Sequence, residues 1–147
     1  MRIPFDVGYV YHPKASDEDN AMVLRVLLEA LIACDIIFFR LADSKRVKVP
    51  ALYDSGVIYG RTKVWDSTPD LYARKYGDCK SLTATRIAEL RHAGQDARPV
   101  FRFAPNPQRG GRDFHILVQR GKSFEDPSKT LGMEEYHRAK GLWMFPS

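Results

Sequence analysis

Two cysteines in 147 residues are too few for a disulfide framework, and no CxxC pair is present to found a zinc site. Long apolar runs are missing too. The most hydrophobic stretch, Ala21 to Leu41, is broken by Arg25, Glu29, Asp35 and Arg40, which makes it a poor membrane span. No pattern repeats, no segment is of low complexity, and no phosphate-cradling loop of Walker or dinucleotide type occurs; Gly110-Gly111 reads as a turn. The opening residues MRIPFDVGY put Pro4 and Asp6 where a secretory signal needs an apolar core. A soluble, reduced, cytoplasmic protein with no membrane partner is the expectation.

What is present is ordinary in bulk. With 44% hydrophobic and 28% charged residues, the chain suits one globular core rather than a disordered or fibrous segment. Its net charge of +5 mildly favours anionic partners and also falls in the range that solubility alone requires. Arg98, Arg102, Arg109, Arg112, Arg120 and Lys122 gather around one set of loops. They would suit nucleic acid or a cell-wall polymer, but no nucleic-acid-binding motif accompanies them, so solvated charge is the preferred reading.

Along the chain, Ile3 to Pro13 reads as a short extended piece. Ser16 followed by Asp17, Glu18 and Asp19 supplies an N-cap and a first turn that complements the helix dipole. The helix should run from Asp17 to about Phe39 and, being nearly all apolar, be largely buried, with Cys34 packed as a small hydrophobe. From Ala42 to Asp70, Pro50, Gly56, Gly60 and Pro69 limit the chain to brief strands or loop. Ser67 or Thr68 can cap a short helix ending at Arg74, with Pro69 at its first position. Asp78 and Gly94 bracket a stronger helix, Cys79 to His92. Strands follow at 100–103, 114–120 and 123–126, the last two joined by Gly121-Lys122 and the last stopped by Pro127. Residues after Leu131 should be partly helical. Helices first and an antiparallel sheet afterwards predict a single α+β domain: a helical part at 1–64, a core at about 65–130 and a tail at 131–147.

Three residues carry candidate chemistry. A nucleophilic thiol needs a lowered pKa, a base for its proton and a third group to orient that base. Cys79 opens a helix, where unbonded N–H groups and the dipole favour a thiolate and can bring the pKa to about 3.5–7.5. Its own backbone N–H can serve an oxyanion. His115 lies on the strand FHILV, and Asp126 ends the next strand. If Gly121-Lys122 is the turn, Leu117 opposes Asp126 and His115 reaches it on the same-face diagonal. If Arg120-Gly121 is the turn, the two are directly opposite, whereas a three-residue turn sends them to opposite faces. Taken singly, each residue has a plainer use: a structural cysteine, a hydrogen-bonded core histidine, a turn-forming aspartate. Their order and shared face argue for a site.

GDCKSLTATRIAELRHAGQDARPVFRF, DFHILV and EDPSK, in that order, resemble the three motifs of transglutaminase-like cysteine enzymes. The resemblance covers about residues 65 to 130. Upstream, PALYDSGVIYGRTKVWDSTPDLYARKYGDC is similar to short phage-encoded members. It implies a papain-like, circularly permuted fold with Cys79 as nucleophile, His115 as base and acid, and Asp126 as orienter. It implies a thioester formed from an amide donor and passed to an amine or to water, with no cofactor and no metal. A protein or peptide would be the substrate, phage structural proteins the other class of partner, and the host cytoplasm or a virion the location. The chain lacks the calcium-ligand clusters of large transglutaminases, and Lys80 stands where an acidic residue often follows the cysteine. For a side-chain oxyanion donor, Trp65 and Tyr76 offer an N–H and an O–H, though both also suit the core or rim.

Three rivals remain open. GDCKSL also resembles the cysteine motif of cell-wall endopeptidases. A zinc site from Cys79, His115 and Asp126 is chemically allowed but lacks a fourth ligand. A virion assembly protein could use the same fold without catalysis.

Overall fold

Ser16 caps the first helix as its sequence demands. Its hydroxyl accepts from the Asp19 N–H at 3.1 Å while the Asp19 carboxylate accepts from the Ser16 N–H at 2.9 Å, a reciprocal capping box. In the computed structural model, which describes residues 14–146, this helix α1 spans Asp17–Ser44, five residues further than expected. The extended piece expected at Ile3–Pro13 lies outside the described residues. Leu28, Ile32, Asp35, Phe39 and Ala42 recur every four and three residues along α1 and are buried, several of them in the core that α1 shares with helix α3 (Cys79–His92).

The expectation that α1 is largely buried is overturned. A helix with one partner layer buries one stripe, and the opposite face of α1 stays open; Cys34 lies on it, exposed rather than packed. The helix buried all round is α3. Its residues from Lys80 to Thr85 are buried, and its hydroxyls have partners: Ser81 Oγ accepts from the Asp66 N–H at 2.9 Å, Thr83 donates to the Ile116 carbonyl at 3.2 Å, and Thr85 pairs with Thr68 at 2.9 Å.

Between the two helices the chain makes a short 3-10 turn at Leu52–Asp54, strand β1 (Ile58–Tyr59), helix α2 (Thr68–Arg74) and strand β2 (Tyr76–Gly77). Ser67 takes the N-cap position of α2 without a side-chain cap bond; Asp35 of α1 instead accepts the Thr68 N–H at 2.6 Å. β1 and β2 pair in parallel, with Tyr59 opposite Gly77. A Cβ at Gly77 would sit 2.6 Å from Leu71 Cδ1, so any larger residue there forces that buried leucine to shift.

After α3, strands β3 (Arg98–Pro105), β4 (Arg112–Arg120) and β5 (Ser123–Glu125) form an antiparallel sheet in chain order. Gly121, at φ +57°, makes the two-residue turn that sets Arg120 opposite Ser123 and Val118 opposite Glu125. Ile116 and Val118 are fully buried in the core shared with α1 and α3. Helices α4 (Pro127–Thr130) and α5 (Met133–Lys140) finish the chain, and Met133 joins a second core with Leu52, Val57, Tyr59, Leu71 and Leu82. The architecture is α+β. Among the described residues no helix is long and apolar enough to cross a membrane.

Candidate functional site

Asp126 lies one residue past the last paired rung of β5, so by register it falls opposite Leu117, with His115 on the diagonal. His115 Nε2 and Asp126 Oδ2 are 2.9 Å apart. The other carboxylate oxygen caps α4 by accepting the Lys129 N–H at 3.1 Å. Burial pushes the Asp126 pKa up, but the His115 hydrogen bond and charge and the Lys129 N–H outweigh it and hold the group below its ordinary value. An ionised carboxylate only accepts, so Nε2 carries the proton and Nδ1 is the nitrogen left for chemistry.

Cys79 meets the same strand from the helix side. β5 ends at Glu125, so among the described residues the Leu117–Ile116 stretch of β4 has no strand neighbour on that edge, and α3 packs beside it. The carbonyl of Ile116, the residue after His115, accepts from Thr83, and the Ile116 backbone lies near enough to the Cys79 thiol to lower its pKa. His115 and Asp126 are thus in contact, and Asp126 is close enough to Cys79 to act on the thiol electrostatically.

The expected depression of the Cys79 pKa is reversed. Burial pushes the thiol up to about 12, and Asp78 adds to this, as does Asp126 more weakly. Lys80 and the Ile116 backbone pull the other way without prevailing. The helix N-terminus alone suggested a thiolate; two carboxylates on separate elements and a dense apolar wall decide for the thiol. Lys80 is itself committed, buried in an ion pair with Asp78 and bonded to the Thr62 carbonyl at 3.1 Å.

Neither proposed side-chain oxyanion donor is aimed at the sulfur by any contact shown. Tyr76 is exposed, with the Arg74 guanidinium over its ring 5.7 Å from the centre. Trp65 packs on the same apolar cluster as Cys79.

Sequence reasoning missed a second set of polar groups here. Tyr59, brought beside Gly77 by the β1–β2 register, shares a 3.2 Å hydrogen bond with His137 Nε2 of α5. Burial, then the charges of Cys79 and Asp78, raise the Tyr59 pKa, so its hydroxyl stays protonated. Burial and the Arg61 and His115 charges lower that of His137, against the Trp143 backbone bond. No local signal links Tyr59, Arg61 and His137 to Cys79, because the first two come from one segment and His137 from another, both distant in sequence from Cys79. The tail adds Phe145, whose ring lies 5.6 Å from that of His115, with Arg102 5.6 Å above it. A cavity of about 210 Å³ opens there, lined by His115, Asp126, Arg102, Lys129 and Phe145 among others; Cys79 does not line it.

The basic loop residues are largely neutralised. Arg98 pairs with Asp96, Arg109 with Asp113, Arg112 with Asp17 and Arg120 with Glu125. Among the described residues, no cluster of three or more His, Cys, Asp or Glu side chains is placed to hold a metal ion. Compared with family models, curated proteins and solved structures, the chain matches none.

Proposed function

We propose that the protein is a transglutaminase-like cysteine hydrolase or acyltransferase acting on an amide bond. The observation that carries this reading is the 2.9 Å His115–Asp126 pair on β4–β5, with the Cys79 thiol near enough to Asp126 and to the Ile116 backbone for both to act on its pKa. Because the resting thiol is neutral, the proton leaves during attack: His115 Nδ1 takes it as the sulfur adds to the acyl carbon. The Cys79 backbone N–H, at the open end of α3, faces the developing oxyanion. His115 then returns the proton to the departing amine, leaving a thioester on Cys79. Water or a second amine attacks that thioester, with His115 again taking a proton, and the acyl group leaves while the thiol is restored. A peptide or protein amide is the donor, and the resemblance to short phage-encoded members places the protein in the host cytoplasm or on a virion.

The test is acyl-enzyme formation from p-nitrophenyl acetate in a Cys34→Ser background, which removes the exposed thiol. A burst of p-nitrophenol, with acetate carried on Cys79 and released by hydroxylamine, is expected. The burst should be lost in Cys79→Ala and slowed about 100-fold in His115→Ala. Acetylation of Cys79 at equal rates with and without His115 would remove the enzyme reading. A non-catalytic virion or assembly protein built on this architecture is the second reading. It is favoured by a thiol pushed up to about 12 and by a cavity that Cys79 does not line. Absence of any burst selects it.

A further inference from the structure

The face of α1 turned away from the core carries an ordered apolar row. Met22, Val26, Ile37 and Leu41 are each between 54% and 68% exposed, and Ala30 and Ala33 between them are exposed as well. Steps of four and three keep the row on one side of the helix. A contiguous exposed row of this kind marks a contact surface more often than scattered apolar residues do.

Its spacing reads the same from either end. About a midpoint between Leu31 and Ile32, an antiparallel second copy sets Met22 against Leu41, Val26 against Ile37 and Ala30 against Ala33. The bulky residues then meet each other towards both ends, and the two alanines let the backbones approach at the centre. The charges obey the same symmetry. One step before Met22 on this row stands the exposed Glu18, and one step after Leu41 stands the exposed Lys45, so the acidic start of each helix meets the basic end of the other. A parallel pair would set Glu18 against Glu18 and Lys45 against Lys45. Antiparallel macrodipoles add to the preference.

We propose that a second copy of this chain docks antiparallel on this face of α1, making a two-fold symmetric dimer. The pairing is isologous, as a C2 interface requires. The row is about 40 Å long from Glu18 to Lys45, at a rise of about 1.5 Å per residue. The site on α3 and β4 lies beneath the opposite face of α1, so each subunit keeps its own candidate site, independent of the function proposed above.

The test is sedimentation equilibrium on the full chain over about 1–100 μM, with circular dichroism to confirm folding. The wild type is expected to be a dimer. Val26→Glu with Ile37→Glu, on residues already exposed, should weaken it by about 100-fold or more while leaving the fold intact. Glu18→Lys or Lys45→Glu alone should weaken it about tenfold, since each puts like charges together twice per dimer. Glu18→Lys combined with Lys45→Glu should restore it to within about threefold. With Cys34 replaced by serine, Ala30→Cys combined with Ala33→Cys, which face each other in this register, should cross-link between subunits under mild oxidation. A wild type that is monomeric throughout overturns the proposal, whether the face is then bare or covered by residues 1–13. So does a dimer that survives Val26→Glu with Ile37→Glu. Failure of the double charge reversal to rescue overturns the antiparallel register.

Discussion

Asp126 divides its two oxygens between the His115 ring and a helix cap: Oδ2 faces His115 at 2.9 Å and Oδ1 caps α4 through the Lys129 N–H at 3.1 Å. The cap fixes the carboxylate plane, so α4 holds the orientation of the His115 ring at second hand. The two roles can be separated. Asparagine caps helices about as well as aspartate, so Asp126→Asn should leave unfolding free energy within about 0.5 kcal/mol at neutral pH. It removes the negative charge and no longer dictates the His115 tautomer, so acylation of Cys79 should fall about 100-fold or more. Asp126→Ala should lose the same activity and a further ~1 kcal/mol of stability. Urea titration and burst kinetics on the two variants give the comparison; equal acylation in Asp126→Asn and wild type would leave Asp126 with the cap alone.

At the scale of elements, the end of β5 is held from outside the sheet. Arg86 of α3 donates to Glu125 at 2.5 Å and to Glu89 at 3.1 Å, Tyr53 of the 3-10 turn also bonds Glu125, and Glu89 accepts from the Leu52 N–H. Arg86 is the cation common to both acids, and burial already raises the Glu89 pKa. Arg86→Ala should therefore cost about 2–3 kcal/mol, measured by urea unfolding, because half-buried Glu89 loses its counter-charge and Glu125 keeps only the more distant Arg120. Adding Glu125→Gln should recover part of the loss, and no recovery would mean that packing of the arginine stem dominates. This network also shows where sequence reading stops. The α1 start, both ends of α3 and the β4–β5 turn were legible because Ser16, Asp78, Gly94 and Gly121 act on their own neighbours. The His115–Asp126 pairing was legible because strand alternation carries a short turn's register two rungs further. The Arg86 cluster, the Tyr59–His137 bond and the open face of α1 depend on which distant segment arrives, and nothing within a few residues of them reports that. The Cys79 pKa failed mainly for the same reason, since burial is not local, although the adjacent Asp78, which also raises it, stood in the sequence beside the cysteine.

For the whole molecule, one buried carboxyl couples the fold to pH. Asp35 has no exposed surface, accepts the Thr68 N–H through Oδ1 at 2.6 Å, and has no hydrogen-bond partner for Oδ2 among the described residues. Burial raises its pKa to about 7, with the Thr68 hydrogen bonds opposing. In the unfolded chain the group ionises near its ordinary value of about 4. Between those limits the folded state keeps a proton that the unfolded state has released, so stability falls as pH rises from about 4 through about 7 and levels off above. The span from pH 5 to pH 8 corresponds to roughly 2–3 kcal/mol. Other groups shift the opposite way, among them Asp126 and His137: the depressed Asp126 stabilises above ordinary carboxylate pKa values and loses that contribution only in more acid solution, and the depressed His137 destabilises as pH falls below about 6.5. Both act equally in a variant, so the difference between wild type and Asp35→Asn isolates the buried acid. Asparagine keeps an acceptor for the Thr68 N–H but cannot ionise. Relative to Asp35→Asn, the wild type should be more stable at pH 5 than at pH 8 by that 2–3 kcal/mol in urea titrations. A difference that stays constant across this range would mean that Asp35 remains ionised in the fold, its second oxygen reached by water.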